Sequence, residues 1–212
     1  MSVGKPAPRD WPDLADALCN AARLFGERQW CLATSGNFSV RAGAEHCMIT
    51  RSGTDKAALG PDDLMICSLD GAACDPALVP SAELALHLAL YRHDAAISAV
   101  LHTHSVAATV LSRRAADVLE ISGFEMQKAL PGVLSHEDPV RLPVFDNSQD
   151  MPGLARALRH ELATARRSVP AFLLRGHGLY AWGADLDAAR RHVEGLEFLL
   201  ACLMQEHEAQ TR

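Results

Sequence analysis

The chain has 212 residues, of which 49% are hydrophobic and 22% charged, with a formal net charge of −6. That length suits one domain with a sizeable core. The acidic balance and 5% aromatic content offer neither a basic stripe nor a base-stacking surface for nucleic acid. Six scattered cysteines show no Cys-x-x-Cys spacing, and neither a leader-type apolar stretch nor a membrane-length apolar run is visible. The expectation is a single domain over residues 1–212 with reduced thiols, cytoplasmic, its first ten residues a flexible extension.

In chain order, an apolar stripe of Leu14, Leu18, Ala21, Ala22 and Phe25 predicts a helix from about Trp11 to Gln29, with Pro12 in its first turn. Thr34 to Asn37 reads as a polar turn leading into a strand through Arg41. Ala42 to Glu45 reads as a hairpin loop, with Cys47 to Thr50 returning. Arg51 to Lys56 is a second polar turn, and Leu64 to Leu69 is a strand closed by Asp70-Gly71. Ser81 is expected to open a helix through about Arg92, with Glu83 in its first turn. Ala99 to Ser105 reads as a buried strand whose last residue, Ser105, caps a helix over Val106–Arg113. A short strand over Pro139–Phe145 precedes a helix from about Pro152 to Arg166. Ala171 to Leu174 and Leu179 to Trp182 are strands joined at Gly176-His177-Gly178, and Leu186 to Leu203 is a long amphipathic helix. Strand pairs alternating with helices predict an α/β sandwich around a mostly antiparallel sheet.

The strand Ala99 to Ser105 carries His102 and His104. Residues i and i+2 of a strand face one side, so both imidazoles can reach one metal ion. Two histidines at this spacing are also compatible with ordinary satisfied polar residues, and a chemically active zinc site needs a third ligand. His177, between two glycines at a tight turn, is the candidate, although an exposed hairpin tip reads the same way. Glu83 and His87 share a helix face at four-residue spacing, with His87 read as a packed polar residue among leucines. Spacing alone does not distinguish Glu125 from a surface charge. Ser35-Gly36-Asn37, Ser52-Gly53-Thr54 and Ser81 each offer anion-binding donors, a recurrence that suggests phosphate.

Taken in order, Gly36-Asn37-x-Ser39, Ser52-Gly53, Pro80-Ser81-x-Glu83, His102-Thr103-His104 and Arg175-Gly176-His177-Gly178 resemble the class II aldolase/adducin family from about Leu14 to Leu203. The resemblance implies the family's α/β/α sandwich around a mostly antiparallel central sheet. It implies Zn2+, one ion per subunit, on His102, His104 and His177, and a phosphate pocket from Asn37, Ser52, Gly53 and Ser81. Ala82 stands where many members have a second serine, which removes one hydroxyl from that pocket. Glu125-Met126-x-Lys128 and Val144-Phe145-Asp146-Asn147-x-Gln149-Asp150 resemble a sugar-phosphate dehydratase branch, which implies Glu125 as acid/base with Glu83 the other catalytic candidate. The implied partner is a small sugar phosphate, without nucleic acid or membrane, in a homotetramer with active sites at subunit interfaces. A retro-aldol enzyme or epimerase on the same scaffold is the alternative. A non-catalytic adducin-like interaction domain fits less well, because all three histidines are present.

Overall fold

Strands whose alternate residues are apolar on both faces must be covered on both, and five helices do this here. In the computed structural model, which describes residues 5–164 and 169–210, eight strands form one sheet. They are β1 (Asn37–Ala42), β2 (His46–Thr50), β3 (Leu64–Ser68), β4 (Ala99–Thr103), β5 (Val118–Ile121), β6 (Val140–Phe145), β7 (Ala171–Leu174) and β8 (Gly178–Gly183). Their order is β3-β2-β1-β4-β8-β7-β6-β5. Neighbours are antiparallel except β6 and β7, paired through Val144–Leu173 and Phe145–Leu174.

The helices are α1 (Pro12–Glu27), α2 (Leu84–His93), α3 (Val106–Arg114), α4 (Met151–Thr164) and α5 (Leu186–Gln210). Leu18 and Phe25 of α1, Leu111 of α3 and Leu196 of α5 pack on Phe38, Leu101 and Leu179 of one sheet face. Leu86 and Leu90 of α2 and Leu158 of α4 pack on Ile49, Val100 and Tyr180 of the other. The expected α/β/α sandwich is the architecture found. Within the expected N-terminal extension, Pro8–Asp10 forms a 3-10 turn. The expected end of α4 at about Arg166 lies outside the described residues.

Two readings need correction. The helix expected to open at Ser81 starts at Leu84, because Pro80 is bridged to Arg51 and the chain must leave that bridge before it can coil. Ser81 instead closes a turn, its Oγ accepting from the Glu83 N–H at 3.3 Å and its carbonyl from the Leu84 N–H at 3.1 Å. β5 went unanticipated: it is a four-residue edge strand, only partly buried, so its apolar pattern is short and diluted by Glu120.

The middle of the sheet brings the functional strands together. Asn37 of β1 and Tyr180 of β8 both pair with His102 of β4, so the three residues form one row across three strands. Gly36, at φ 76°, turns the chain against this row; a Cβ there would lie 2.8 Å from the His102 carbonyl oxygen. At Gly178 a Cβ would lie 2.0 Å from the Thr103 carbonyl oxygen and 3.2 Å from the His102 ring. Gly178→Ala must therefore separate β4 from β8 beside the histidines. We expect urea denaturation to show a loss of about 1–3 kcal/mol or more, as for overpacked interiors; unchanged stability would contradict this packing.

Candidate metal centre

His102 is wholly buried, and its Nδ1–H donates to the Leu179 carbonyl at 2.9 Å. That bond fixes the tautomer and leaves the Nε2 lone pair facing the cleft. Its ring stacks on Tyr180 at 3.9 Å and 13°, and Tyr180 stacks on Phe172 at 4.7 Å and 7°. His104 lies just past the end of β4, where its backbone N–H donates to Trp30 at 2.7 Å. His177 sits in the β7–β8 turn, with Nδ1 3.3 Å from Asn147 Oδ1. Between the two β4 histidines, Thr103 points to the opposite face and donates to Glu197 of α5 at 2.5 Å. Ser105 caps α3 as expected, accepting from the Ala108 N–H at 3.0 Å.

The three Nε2 atoms converge. His102 Nε2 is 2.8 Å from that of His104 and 3.3 Å from that of His177. Glu83 completes the group, with Oε2 3.3 Å from His102 Nε2 and Oε1 3.2 Å from His177 Nε2. Ligand atoms from all four residues lie within 4.8 Å of one another. A tetrahedral zinc site with metal–nitrogen bonds near 2.0–2.1 Å separates its nitrogens by about 3.3 Å. The His102–His177 spacing matches that edge, while the His102–His104 spacing is shorter, and three imidazole nitrogens facing a carboxylate form a donor set suited to a cation. Burial, then the neighbouring His104 and His177, hold His102 well below its ordinary value; His104 is lowered to about 4, chiefly by burial. Both are therefore neutral, the form that binds metal. The residues fit a divalent ion.

The cleft beside this cluster has a volume of about 230 Å3 and is lined by Ser52, Gly53, Ser81, Glu83, His104 and His177, with Asn37 and Lys56 also in its wall. The Arg51–Pro80 bridge and the Ser52 N–H to Val79 carbonyl bond at 3.2 Å bring the two serine turns together. Lys56 is buried, its Nζ donating to the carbonyls of Thr34 at 3.0 Å and Thr54 at 2.7 Å, and burial lowers its pKa. A larger hollow of about 440 Å3 near Pro8, Pro12 and Pro61 holds none of the clustered ligands.

Asn37 lines the cleft, yet its amide is turned inward. Nδ2 donates to Glu83 Oε2 at 2.6 Å, and Oδ1 lies 2.5 Å from His87 Nε2. Tyr180 also donates to Glu83 Oε2, at 2.8 Å. Neither His87 nor Tyr180 was expected at the site. The available signal was a tyrosine in an apolar strand, whose hydroxyl must find a partner when buried.

Glu125 is not brought to the cluster within one chain. It lies at the start of a 3-10 turn over Glu125–Ala129 with 73% of its side chain exposed, paired with Lys128 and 3.9 Å from His136. The Lys128 hydrogen bond lowers the pKa of Glu125 in the single chain.

The family described as the Class II Aldolase and Adducin N-terminal domain matches residues 16–204. Methylthioribulose-1-phosphate dehydratase of Pectobacterium carotovorum subsp. carotovorum (strain PC1) is 48% identical over 191 residues, covering 89% of this chain and 92% of that protein. The protein of the same name from Yersinia pestis (strain Pestoides F) is 48% identical over 190 residues, covering 89% and 85%. Among solved structures, L-fuculose-1-phosphate aldolase from Thermus thermophilus superposes with a TM-score of 0.73 at 28% identity, covering 93% of this chain and 96% of that one. An aldolase II superfamily protein from Pseudomonas syringae shares the fold, with a TM-score of 0.76 at 22% identity, covering 93% and 77%.

The buried imidazoles make the metal-free fold acid-sensitive. Burial lowers His87 to about 3 and His104 to about 4, from an ordinary 6.5. Below 6.5 the unfolded chain binds protons that the folded chain refuses. This stability is therefore intact above 6.5 and is lost as pH falls towards 4 and 3. Glu197, raised to about 7 by burial, acts oppositely: its stabilisation is present at low pH and lost as pH rises through 7. The histidines outnumber it, so thermal melts of chelator-treated protein should show Tm falling steadily from pH 6.5 to 4. A level Tm over that range would contradict the neutral, buried assignment.

Proposed function

Since the chain belongs to the class II aldolase and adducin family, we propose that it is a zinc-dependent hydro-lyase. Its substrate is 5-methylthioribulose 1-phosphate, dehydrated to 2,3-diketo-5-methylthiopentyl 1-phosphate in methionine salvage. The observation that carries this reading is the convergence of three imidazole Nε2 atoms and the Glu83 carboxylate beside a serine-lined cleft. It is joined by 48% identity to proteins named for this reaction.

His102, His104 and His177 would hold the ion, which would supply Lewis acidity to the carbonyl of a 2-keto sugar phosphate and so make the neighbouring C3 proton removable. Ser52, Gly53 and Ser81 hold the phosphate, while Asn37, its amide engaged by Glu83 and His87, lines the cleft beside the metal cluster. A carboxylate takes the C3 proton, and the same carboxyl protonates the C4 hydroxyl, which leaves as water. The resulting enol tautomerises to the diketone with every carbon retained.

Glu83 is pinned by two donors on one oxygen, which fixes the carboxylate beside His102 and His177. Glu125 is exposed, so we assign it the proton transfer, delivered from a neighbouring subunit of a homotetramer with sites at its interfaces. Burial in that interface would raise its pKa towards the range a general acid/base needs.

Glu125→Gln should lower kcat by about 10²–10⁴-fold with zinc content unchanged; full activity would remove Glu125 from the reaction. His104→Ala should weaken zinc binding by more than the roughly 10–100-fold typical of losing an outer-shell partner, and a variant that keeps stoichiometric zinc would overturn the metal site. Product analysis separates dehydration from the aldolase alternative: the diketone is a single product, whereas aldol cleavage gives two fragments.

A further inference from the structure

Resting on the reading of Glu83 as part of the reacting centre, we propose that His87 is a positioning residue that fixes the Glu83 carboxylate by selecting the orientation of the Asn37 amide. His87 lies on α2, one turn beyond Glu83, and is wholly buried. Both of its ring nitrogens are engaged. Nε2 meets Asn37 Oδ1 at 2.5 Å, and Nδ1 meets Ser39 Oγ at 2.7 Å. Ser39 Oγ is also 2.7 Å from the Tyr91 hydroxyl. Arg41 holds Tyr91 in turn, its guanidinium 4.9 Å from the ring centroid and its Nη2 donating to the Tyr91 carbonyl at 2.9 Å.

Only one order of donors satisfies this chain. Asn37 donates its Nδ2 to Glu83 Oε2 and so faces His87 with Oδ1. An amide oxygen only accepts, so His87 must carry its proton on Nε2. A neutral imidazole then accepts at Nδ1, so Ser39 donates there and itself accepts from Tyr91. The order runs Tyr91, Ser39, His87, Asn37, Glu83 without a break. Were His87 unable to donate, nothing would hold the Asn37 oxygen on that side. The amide could then turn over, placing its oxygen against the Glu83 carboxylate, and Glu83 would swing away from His102 and His177. A histidine that merely filled the core would affect stability alone; one that orients the amide also affects turnover.

The test uses the full-length, zinc-loaded protein with methylthioribulose 1-phosphate as substrate. His87→Leu fills the space without a donor, His87→Gln retains an N–H near the Nε2 position, and His87→Asn retains polarity only nearer the Ser39 side. We expect the Leu and Asn variants to lose kcat on the order of 10- to 100-fold, as for other outer-shell orienting groups, with KM and zinc content little changed. The Gln variant should recover most of the rate. Independently of activity, 15N spectra of histidine-labelled, metal-free wild type should show His87 as the neutral Nε2–H tautomer, its signals identified by their loss in the Gln variant. A zinc-loaded Leu variant with wild-type kcat, equal rates for Gln and Asn, or an Nδ1–H tautomer would overturn the proposal. If the Leu variant does not fold, the Gln–Asn comparison and the tautomer decide. If wild type does not turn over this substrate, the reaction assignment falls, while the tautomer still tests the donor order.

Discussion

The Leu179 carbonyl is the constraint on which the site depends. By accepting the Nδ1–H of His102 it fixes the tautomer of a histidine that burial keeps neutral, and so aims one nitrogen lone pair into the cleft. That carbonyl belongs to β8, the strand that follows the His177 turn, so one hydrogen bond ties two of the three candidate ligands together. The close approach of Gly178 to Thr103 is the steric side of the same arrangement.

The sheet divides the work between its faces. Residues facing α2 supply the chemistry: Asn37 and Ser39 from β1, His102 from β4, and Tyr180 from β8 meet Glu83 and His87 there. Residues facing α5 supply the hold, because Thr103 is anchored to Glu197 from behind and Ser105 starts α3 immediately afterwards. The strand end is thus gripped from both sides, and the two histidines flanking Thr103 have little freedom to move apart. Such support is what a metal site needs to keep its ligands in place.

Much of this was legible in the residues. His-x-His at a strand end, a glycine-flanked histidine and repeated serine turns each had an ordinary reading, but their combination resembled one family, and the structure brings them to one cleft. Glu83 was visible as a helix-start carboxylate, although the helix begins later than its pattern suggested because the Arg51–Pro80 bridge delays it. His87 read as a packed polar residue, since a histidine among leucines looks the same whether its partners are catalytic or not. Glu125 read as an acid/base through resemblance, and a single chain leaves it on the surface.

The sequence by itself determined the periodicities: which residues alternate along strands, where Ser105 caps a helix, and that His102 and His104 share a face. These are local properties, set by backbone geometry within a few residues. Only the tertiary structure decided which donors meet Glu83. Asn37 and Tyr180, which share one oxygen of that carboxylate, stand 46 and 97 residues from it in the chain. Contacts over such separations depend on strand order and register, and β1, β4 and β8 become neighbours only when the sheet is assembled.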